Sequence, residues 1–279
     1  MSGKLNRTGP RAFGFTRILG FLLALLATFP AMRAIAGDPL PPPPAKIQSL
    51  NPPEDSFFSK ELLCDGIPIK SHQVVSDQAL YVAYARLQML LAHLPIVSSN
   101  IVAAKVELHI IGKDQVTTDL PEWRQDKGKP LPEYNGLTRD QRTRGMGGQL
   151  TSCGEENLLQ LKQDRYFGRD ICVHEFSHVI RNYGMDEKTV ARFDEQYQKS
   201  LKAGLWVNSY AGSNPDEFFA ELSMWYFGTH GDLHMTGTKP DNGPAGLKQY
   251  DPQAYQLFDD FYSGRIPVKS TASDPGRNG

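Results

Sequence analysis

The chain has 279 residues, of which 40% are hydrophobic and 22% charged, a composition typical of a soluble globular protein. It contains 30 basic and 31 acidic residues, and five of the basic ones lie in the first 36 positions, where there is no acid. The remainder therefore carries 25 basic and 31 acidic residues, about −6 overall. Nucleic-acid binders need clustered Lys and Arg for phosphate contacts. This balance excludes a nucleic-acid partner and disfavours very acidic substrates.

Residues 1–36 have the pattern of a secretory signal peptide. A basic leader precedes an apolar run at 18–29, and Ala34-Ile35-Ala36 forms a small-x-small cleavage site. The run of about 12 residues is too short to span a bilayer, which needs about 20. An uncleaved anchor is the alternative interpretation. We expect a secreted or periplasmic protein that has no membrane contact after cleavage.

The remaining chain divides into a proline-rich linker at 37–56, one folded domain at 57–268 and a polar, disordered tail at 269–279. Helical spacing and capping residues predict helices at 77–94 (stopped by Pro95), 170–183 (ended by Gly184), 186–203, 214–227 and 252–262. Alternation predicts a strand at 105–111 and one or two more within 149–161. Long loops are expected at 112–148 and 228–250. The fold class is therefore α+β.

Three cysteines, Cys64, Cys153 and Cys172, follow the predicted signal peptide. Export permits disulfides, and one pair with one unpaired thiol is the simplest arrangement. We expect Cys64 to pair with Cys153, because Cys172 lies in a predicted buried helix. Three reduced thiols are the alternative.

The strongest motif is His174-Glu175-Phe176-Ser177-His178, an H-E-x-x-H sequence within a predicted helix. Residues four apart share a helix face, so His174 and His178 can both bind one zinc ion. Glu175 is rotated about 100° from His174 and can act as the general base of a metallopeptidase on an attacking water. The alternative is a structural helix that carries two histidines.

A catalytic zinc site needs a third protein ligand and an open position. Glu217 and Glu221 are four apart in the next acidic helix and share one face. Glu217 could instead complete a capping box with Asn214. Glu221 could orient a ligand histidine without touching the metal. Spacing alone does not choose between these roles.

The segment from Tyr210 to Glu221, YAGSNPDEFFAE, taken with HEFSH, resembles the catalytic domain of anthrax lethal factor and its relatives. The resemblance covers about 50 residues, and Ser177 stands where the family often has Gly or Ala. Two further segments, at 116–123 and 152–159, also look like members of this group. The resemblance implies a zincin-like fold of the gluzincin type, in which a small sheet packs on the metal helix and the C-terminal part is mainly helical.

The resemblance also assigns roles to residues. It implies that Glu217 is the third zinc ligand and that Tyr210 is catalytic and donates a hydrogen bond to the oxyanion. With Glu217 as the ligand, we expect Glu221 to lie behind the ligands and orient a histidine. One catalytic Zn²⁺ is the implied cofactor. The toxin's additional domains have no counterpart here, so its cell-entry partner and intracellular substrates are not implied.

Two other motifs are weaker. His230 and His234 in HGDLH have metal-like spacing, but the glycines around them indicate a loop. Arg142 and Arg144 precede Gly145, Gly147 and Gly148, which favours a solvated loop over the border of a substrate cleft.

We therefore expect a secreted zinc metallopeptidase that acts on protein or peptide, as an endopeptidase. The alternatives are a non-catalytic metal-binding effector or binding protein of the same fold, and a zinc hydrolase of non-peptide amides. Cleavage preference and oligomeric state have no signal in the sequence.

Overall fold

Alternating apolar residues build one mixed sheet in the N-terminal half of the chain. The structure is a computed structural model and describes residues 46–230 and 239–271. Within them the strands are β1 Gln48–Glu54, β2 Phe58–Cys64, β3 Ile67–Ser71, β4 Glu107–Ile111, β5 Gly145–Met146 and β6 Leu150–Gly154.

The spatial order of the strands is β1-β2-β3-β4-β6-β5. Strands β3, β4 and β6 run parallel, whereas β1, β2 and β3 pair antiparallel, and so do β5 and β6. The two-residue strand β5 therefore forms an edge, with Gly145 opposite Cys153 and Met146 opposite Ser152. This edge lies beside the helix that carries the H-E-x-x-H motif.

Helices make up much of the remaining described chain, and every predicted helix has a counterpart. They are α1 Asp77–Leu91, α2 Pro95–Ala103, α3 Arg139–Arg142, α4 Glu155–Leu158, α5 Ile171–Val179, α6 Glu187–Lys202, α7 Pro215–Tyr226, α8 Pro244–Tyr250 and α9 Pro252–Tyr262. The combination of a small mixed sheet with a helical C-terminal part confirms the α+β class. In the described ranges, no helix is both long and apolar enough to cross a bilayer.

Proline begins helices here where the sequence pattern predicted stops or loops. Helix α1 ends at Leu91, and Pro95 occupies the first turn of α2 rather than ending α1. Pro244 likewise begins α8 inside a region predicted to be a loop. Proline is favoured at this position because the first helical N–H groups have no partner within the helix.

The two faces of the sheet are covered differently. One face joins the helices in the main core, which includes Leu62, Ile69 and Leu108. The opposite face has a smaller cluster around Phe58 and Leu120. Side chains alternate along a strand, so β4 contributes Leu108 to the main core and His109 to the other face.

The sheet extends beyond the predicted boundaries of the domain. Strand β1 lies in the range assigned to the linker and pairs with β2. It tolerates Pro52 and Pro53 because it is an edge strand with an irregular register between Ser49 and Glu54. At the other end, the Lys269 amide donates to Asp186, so the predicted disordered tail begins with an ordered residue. The predicted signal peptide lies outside the described residues.

The helix of the H-E-x-x-H motif begins at its predicted cap and ends as a π-helical turn. Asp170 accepts from the Val173 amide at 3.0 Å, and the π turn spans Ile180–Gly184. A Cβ atom on Gly184 would lie 2.5 Å from Val97 of α2. Gly184 is thus required by the close approach of two helices, rather than by a left-handed helix end.

The expected Cys64–Cys153 disulfide is not formed. Cys64, Cys153 and Cys172 are all buried and free. Cys64 lies on β2 and Cys153 on β6, with β3 and β4 between them. At about 4.8 Å per strand the two Cα atoms are much further apart than the roughly 7 Å limit for a disulfide. Cys153 lies near Cys172 instead, and burial together with this second thiol raises the pKa of Cys153.

Candidate metal centre and active site

Helix α5 directs two imidazole rings toward one point. The Nε2 atoms of His174 and His178 lie 3.2 Å apart, and the ring planes are nearly perpendicular. Residues one helical turn apart share a face, so the predicted pairing of these rings follows directly from the fold of α5.

Helix α7 brings Glu217 to the same point. The carboxylate Oε2 of Glu217 lies 3.2 Å from His174 Nε2 and 3.6 Å from His178 Nε2. The side chain of Asn214 caps α7 by accepting from the backbone amide of Glu217 at 2.9 Å. Only the backbone amide of Glu217 takes part in this cap. Its carboxylate faces the histidines and does not complete a capping box.

This cluster has the donor set and the dimensions of a zinc site. Among the described residues, His174, His178 and Glu217 form the metal-compatible group, with donor atoms within 4.8 Å of one another. Donors bound to a tetrahedral Zn²⁺ at 2.0–2.1 Å would be about 3.3 Å apart, close to the observed 3.2–3.6 Å. Glu217 Oε2 is buried and makes no well-directed hydrogen bond to the described protein. The residues fit the metal.

The charges of the cluster also favour a cation. Burial opposes protonation of His174, but hydrogen bonds to Glu217 and Glu221 outweigh it and raise the pKa of His174 to about 10. Burial raises the pKa of Glu217, yet the two histidines lower it further, to about 2. The carboxylates thus concentrate negative charge at a buried point, where a divalent cation would replace the proton.

Glu175 lies between α5 and the edge strand β5. Burial raises its pKa, against the opposing effect of His174 and His178. The Gly147 backbone amide also lowers this pKa, and a Cβ on Gly145 would lie 3.0 Å from Glu175 Cγ. A half-buried carboxylate with a raised pKa can accept and return a proton near neutral pH.

Tyr210 lies in a 3₁₀ turn, Tyr210–Gly212, on the approach to α7. Its hydroxyl donates to Glu217 Oε1 at 3.0 Å, and its ring stacks on His174 with centroids 6.1 Å apart. The side chain is 46% exposed, so it lies at the edge of the cluster. Burial and the Glu217 charge raise the pKa of Tyr210, which keeps the phenol protonated as a donor.

Glu221 is fully buried behind the cluster. Its Oε1 lies 3.0 Å from His174 Nδ1 and accepts from Arg169 Nη2 at 2.6 Å. Its Oε2 lies 2.7 Å from His230 Nε2. Glu221 therefore contacts the ring nitrogen of His174 that faces away from Glu217, which distinguishes its position from that of a metal ligand.

His230 and Arg169 belong to the site but were not predicted there. The His230 ring is buried and stacks on Trp225 at 3.6 Å. The HGDLH spacing had suggested a separate metal pair, but His230 contacts Glu221 instead, and His234 lies outside the described residues. Sequence spacing contained no signal for this contact, because it depends on how the chain turns after α7.

A cleft of about 240 Å³ opens in front of His174, Glu175 and Tyr210. Its other lining residues are Arg142, Thr143, Arg144, Gly145, Tyr166, Arg169 and Ile171. The interpretation of this segment as a solvated loop is wrong for Thr143 and Gly145, which are buried, and for Arg144, which pairs with Glu156, whereas Arg142 is exposed. This segment is held at the cleft because Gly145 and Gly147 allow the backbone to approach α5 closely.

The two further segments of the resemblance support this wall of the cleft. In 152–159, Glu156 pairs with Arg144 at 2.6 Å, and Asn157 Oδ1 accepts from the Ile171 amide at 2.8 Å, next to the start of α5. In 116–123, Thr118 donates to Asp140 at 2.7 Å. Their polar residues connect the loop, the sheet and the metal helix.

The small mixed sheet beside the H-E-x-x-H helix, followed by a mainly helical C-terminal part, is the arrangement predicted for a zincin-like fold. Comparison with known proteins found no matching family model and no matching curated protein. Among solved structures, a Pro-Pro endopeptidase from Paenibacillus alvei is similar, with a TM-score of 0.50 and 16% identity over 70% of this chain and 97% of that one. This likeness confirms the predicted fold class. The resemblance to lethal factor remains a prediction from the motifs.

Proposed function

We propose that the chain is a zinc metalloendopeptidase that hydrolyses peptide bonds in proteins or peptides. The observation that carries the proposal is the convergence of His174, His178 and Glu217 on one point beside Glu175 and Tyr210. These five side chains come from α5, α7 and the turn before α7. Three of them, His174, Glu175 and Tyr210, line one cleft, and His174 forms the metal-compatible group with His178 and Glu217.

The two histidines and Glu217 would hold the ion. A bound zinc ion supplies a Lewis acid and lowers the pKa of water toward neutrality. Glu175 takes a proton from the attacking water and passes it to the leaving amine. Tyr210 donates its hydroxyl to the carbonyl oxygen as negative charge develops there. Glu221 holds the His174 ring through Nδ1, so that Nε2 faces His178 and Glu217.

We further propose that the enzyme acts outside the cytoplasm, as a secreted or periplasmic protein. The support is the basic leader, the short apolar run and the Ala-Ile-Ala site in the first 36 residues. N-terminal sequencing of protein recovered from medium or periplasm tests this. A mature N-terminus at Gly37 is the expected result.

Zinc analysis and peptide digestion test the function. Purified protein should contain one zinc per chain and should cleave members of a peptide library. The library includes Pro-Pro sequences, in view of the name of the structural neighbour. A chelator should abolish cleavage and added zinc should restore it. Stoichiometric zinc without cleavage would support a binding protein, and activity on non-peptide amides alone would support the third alternative. Absence of zinc would refute the proposal.

A further inference from the structure

Three arginines line the cleft, and two of them are already engaged by carboxylates. Arg144 makes a two-point contact with Glu156, at 2.6 Å from both Nε and Nη2. Arg169 donates to Glu221 at 2.6 Å. Their charges are neutralised by acids of the protein, so neither is available as a free cation for a ligand.

Arg142 is different. Its side chain is exposed and lines the same cleft as His174, Glu175 and Tyr210. Its guanidinium makes no hydrogen bond or ion pair within the described part of the chain. It is therefore the unneutralised positive charge of the cleft wall, although the mature chain is acidic overall.

The backbone that carries Arg142 is firmly held. Helix α3 begins with a reciprocal cap between Thr138 and Gln141. Arg165 donates to the carbonyls of Gln141 and Thr143, at 2.9 and 3.2 Å, on either side of Arg142. The free guanidinium thus extends from a fixed position, so a ligand need not order the backbone on binding.

Arg139, in the same turn, adds a second anchor. It makes a two-point contact with Asp126, at 3.0 and 2.7 Å, and its guanidinium lies 3.9 Å from the centre of the Trp123 ring. The guanidinium of Arg139 is thus occupied by contacts within the protein. Arg142, three residues later, lines the cleft.

We propose that Arg142 is a specificity-determining residue that binds a carboxylate of the peptide substrate close to the scissile bond. A guanidinium can bind a carboxylate through two parallel charge-assisted hydrogen bonds, which no neutral side chain reproduces. The carboxylate comes from either a Glu or Asp side chain or the C-terminus of a short peptide. The inference rests on the proposed peptidase function and names the class of substrate that its cleft selects.

Matched peptides provide the test. A cleaved library sequence is resynthesised with Glu or Gln at each position around the cleavage site, and each version is made with a free or an amidated C-terminus. Wild-type protein should show kcat/KM roughly 10-fold higher for a carboxylate at one position. A preference for internal Glu assigns a side-chain site, whereas a preference for the free C-terminus assigns an end-binding site.

Variants then connect the preference to the residue. Arg142→Gln should bring the Glu/Gln ratio close to 1. Arg142→Glu should lower this ratio below 1 and should prefer an additional version of the same peptide with Lys at that position. Arg192→Gln, the same charge change on the exposed face of α6, should retain the wild-type ratio. Zinc content verifies that each variant is folded around its metal.

Two results would overturn the inference while the proposed function stands. One is cleavage by wild-type protein with equal kcat/KM for carboxylate and amide versions of every peptide. The other is a preference that survives in Arg142→Gln. Calorimetry with the Glu175→Gln protein, which should not turn the peptides over, measures the affinity of the Glu and Gln peptides for the proposed carboxylate site. Equal affinities there would reject the Arg142 site independently, whereas failure of every peptide to be cleaved by zinc-loaded wild type would reject the peptidase.

Discussion

Glu221 Oε1 lies 3.0 Å from Nδ1 of His174, on the side of the ring opposite to the nitrogen that faces Glu217. Carboxylates in this position fix the orientation of a ligand histidine and increase its basicity. His230 and Arg169 hold Glu221 in turn, at 2.7 and 2.6 Å. The orientation of His174 therefore depends on Glu221, which is held by the buried His230 on one side and by Arg169 of the cleft wall on the other.

Glu221→Gln should weaken zinc binding by roughly 10-fold or more, since loss of such a partner costs about 10–100-fold in metal affinity. The amide keeps the shape of the carboxylate but removes its charge from His174. Competition with a metal-binding dye measures the affinity. Glu195→Gln, an exposed position on α6, serves as the control and should bind zinc as the wild type does.

Glu217→Gln should lose stoichiometric zinc, because an amide oxygen is a poor substitute for the carboxylate that faces both histidines. Metal analysis after gel filtration gives the zinc content per chain. If Glu217→Gln kept full affinity and Glu221→Gln lost its zinc, the two glutamates would have to exchange roles.

The sequence predicted the two histidines and the cap of α7 for a local reason. Residues four apart on a helix share a face wherever the helix lies, and Asn214 caps the turn that it precedes. The position of Glu217 depends on how α7 packs on α5, and the choice over Glu221 came from the resemblance. No residue pattern within α7 indicates how this helix packs on α5. The contact between Glu221 and His230 likewise cannot be predicted from either segment alone.

The loop before β5 shows the same limit. The glycines and charged residues near Arg142 predict a solvent-exposed loop. The partners of the charged residues lie far away in the sequence, so the pattern around Arg142 does not reveal them. Arg144 pairs with Glu156 across the sheet edge, and Arg139 pairs with Asp126. Charged residues of a loop acquire order only when the fold supplies their partners. Ion pairs between segments that are distant in sequence produce no periodic pattern, so they could not be predicted from the sequence.

Glu175→Gln should retain zinc and lower kcat by roughly 10²–10⁴-fold, the usual contribution of a general acid–base group. Glutamine keeps the size and shape of the side chain but cannot accept the proton. Initial rates on a cleaved library peptide, together with metal analysis, measure both effects. Retained turnover at the wild-type rate would remove Glu175 from the chemistry.

Tyr210→Phe should lower kcat by roughly 100-fold with little change in KM, as expected when one oxyanion donor is removed. The hydroxyl now donates to Glu217 Oε1 at 3.0 Å and must rotate to the substrate. Zinc affinity should change little, because the ring stacks on His174 without being a ligand. A variant that loses zinc while the rate per zinc-loaded chain is unchanged would indicate a role in holding Glu217 only.

A second buried network, on the face of the sheet away from α5, makes stability depend on pH. His109 lies between two carboxylates, 2.7 Å from Glu122 and 3.0 Å from Glu107, and its ring packs 4.3 Å from Phe58. Lys70 approaches Glu107 at 2.8 Å. Burial opposes protonation of His109, but the two carboxylates outweigh it and raise its pKa.

Because the folded-state pKa of His109 exceeds the unfolded value near 6.5, the folded protein holds this proton more tightly. The contribution is fully present below about pH 6.5 and is lost as pH rises through the folded pKa. His109→Gln should therefore lower the free energy of unfolding by roughly 3 kcal/mol at pH 6, and its difference from wild type should shrink as the pH rises above about 6.5. Urea denaturation at each pH measures the free energy of unfolding.

His93→Gln is the control, because His93 is exposed. Its free energy of unfolding should differ from that of the wild type by less than about 0.5 kcal/mol at every pH. A deficit in His109→Gln that stays constant as the pH rises would show that the imidazole contributes by packing against Phe58, not by its charge.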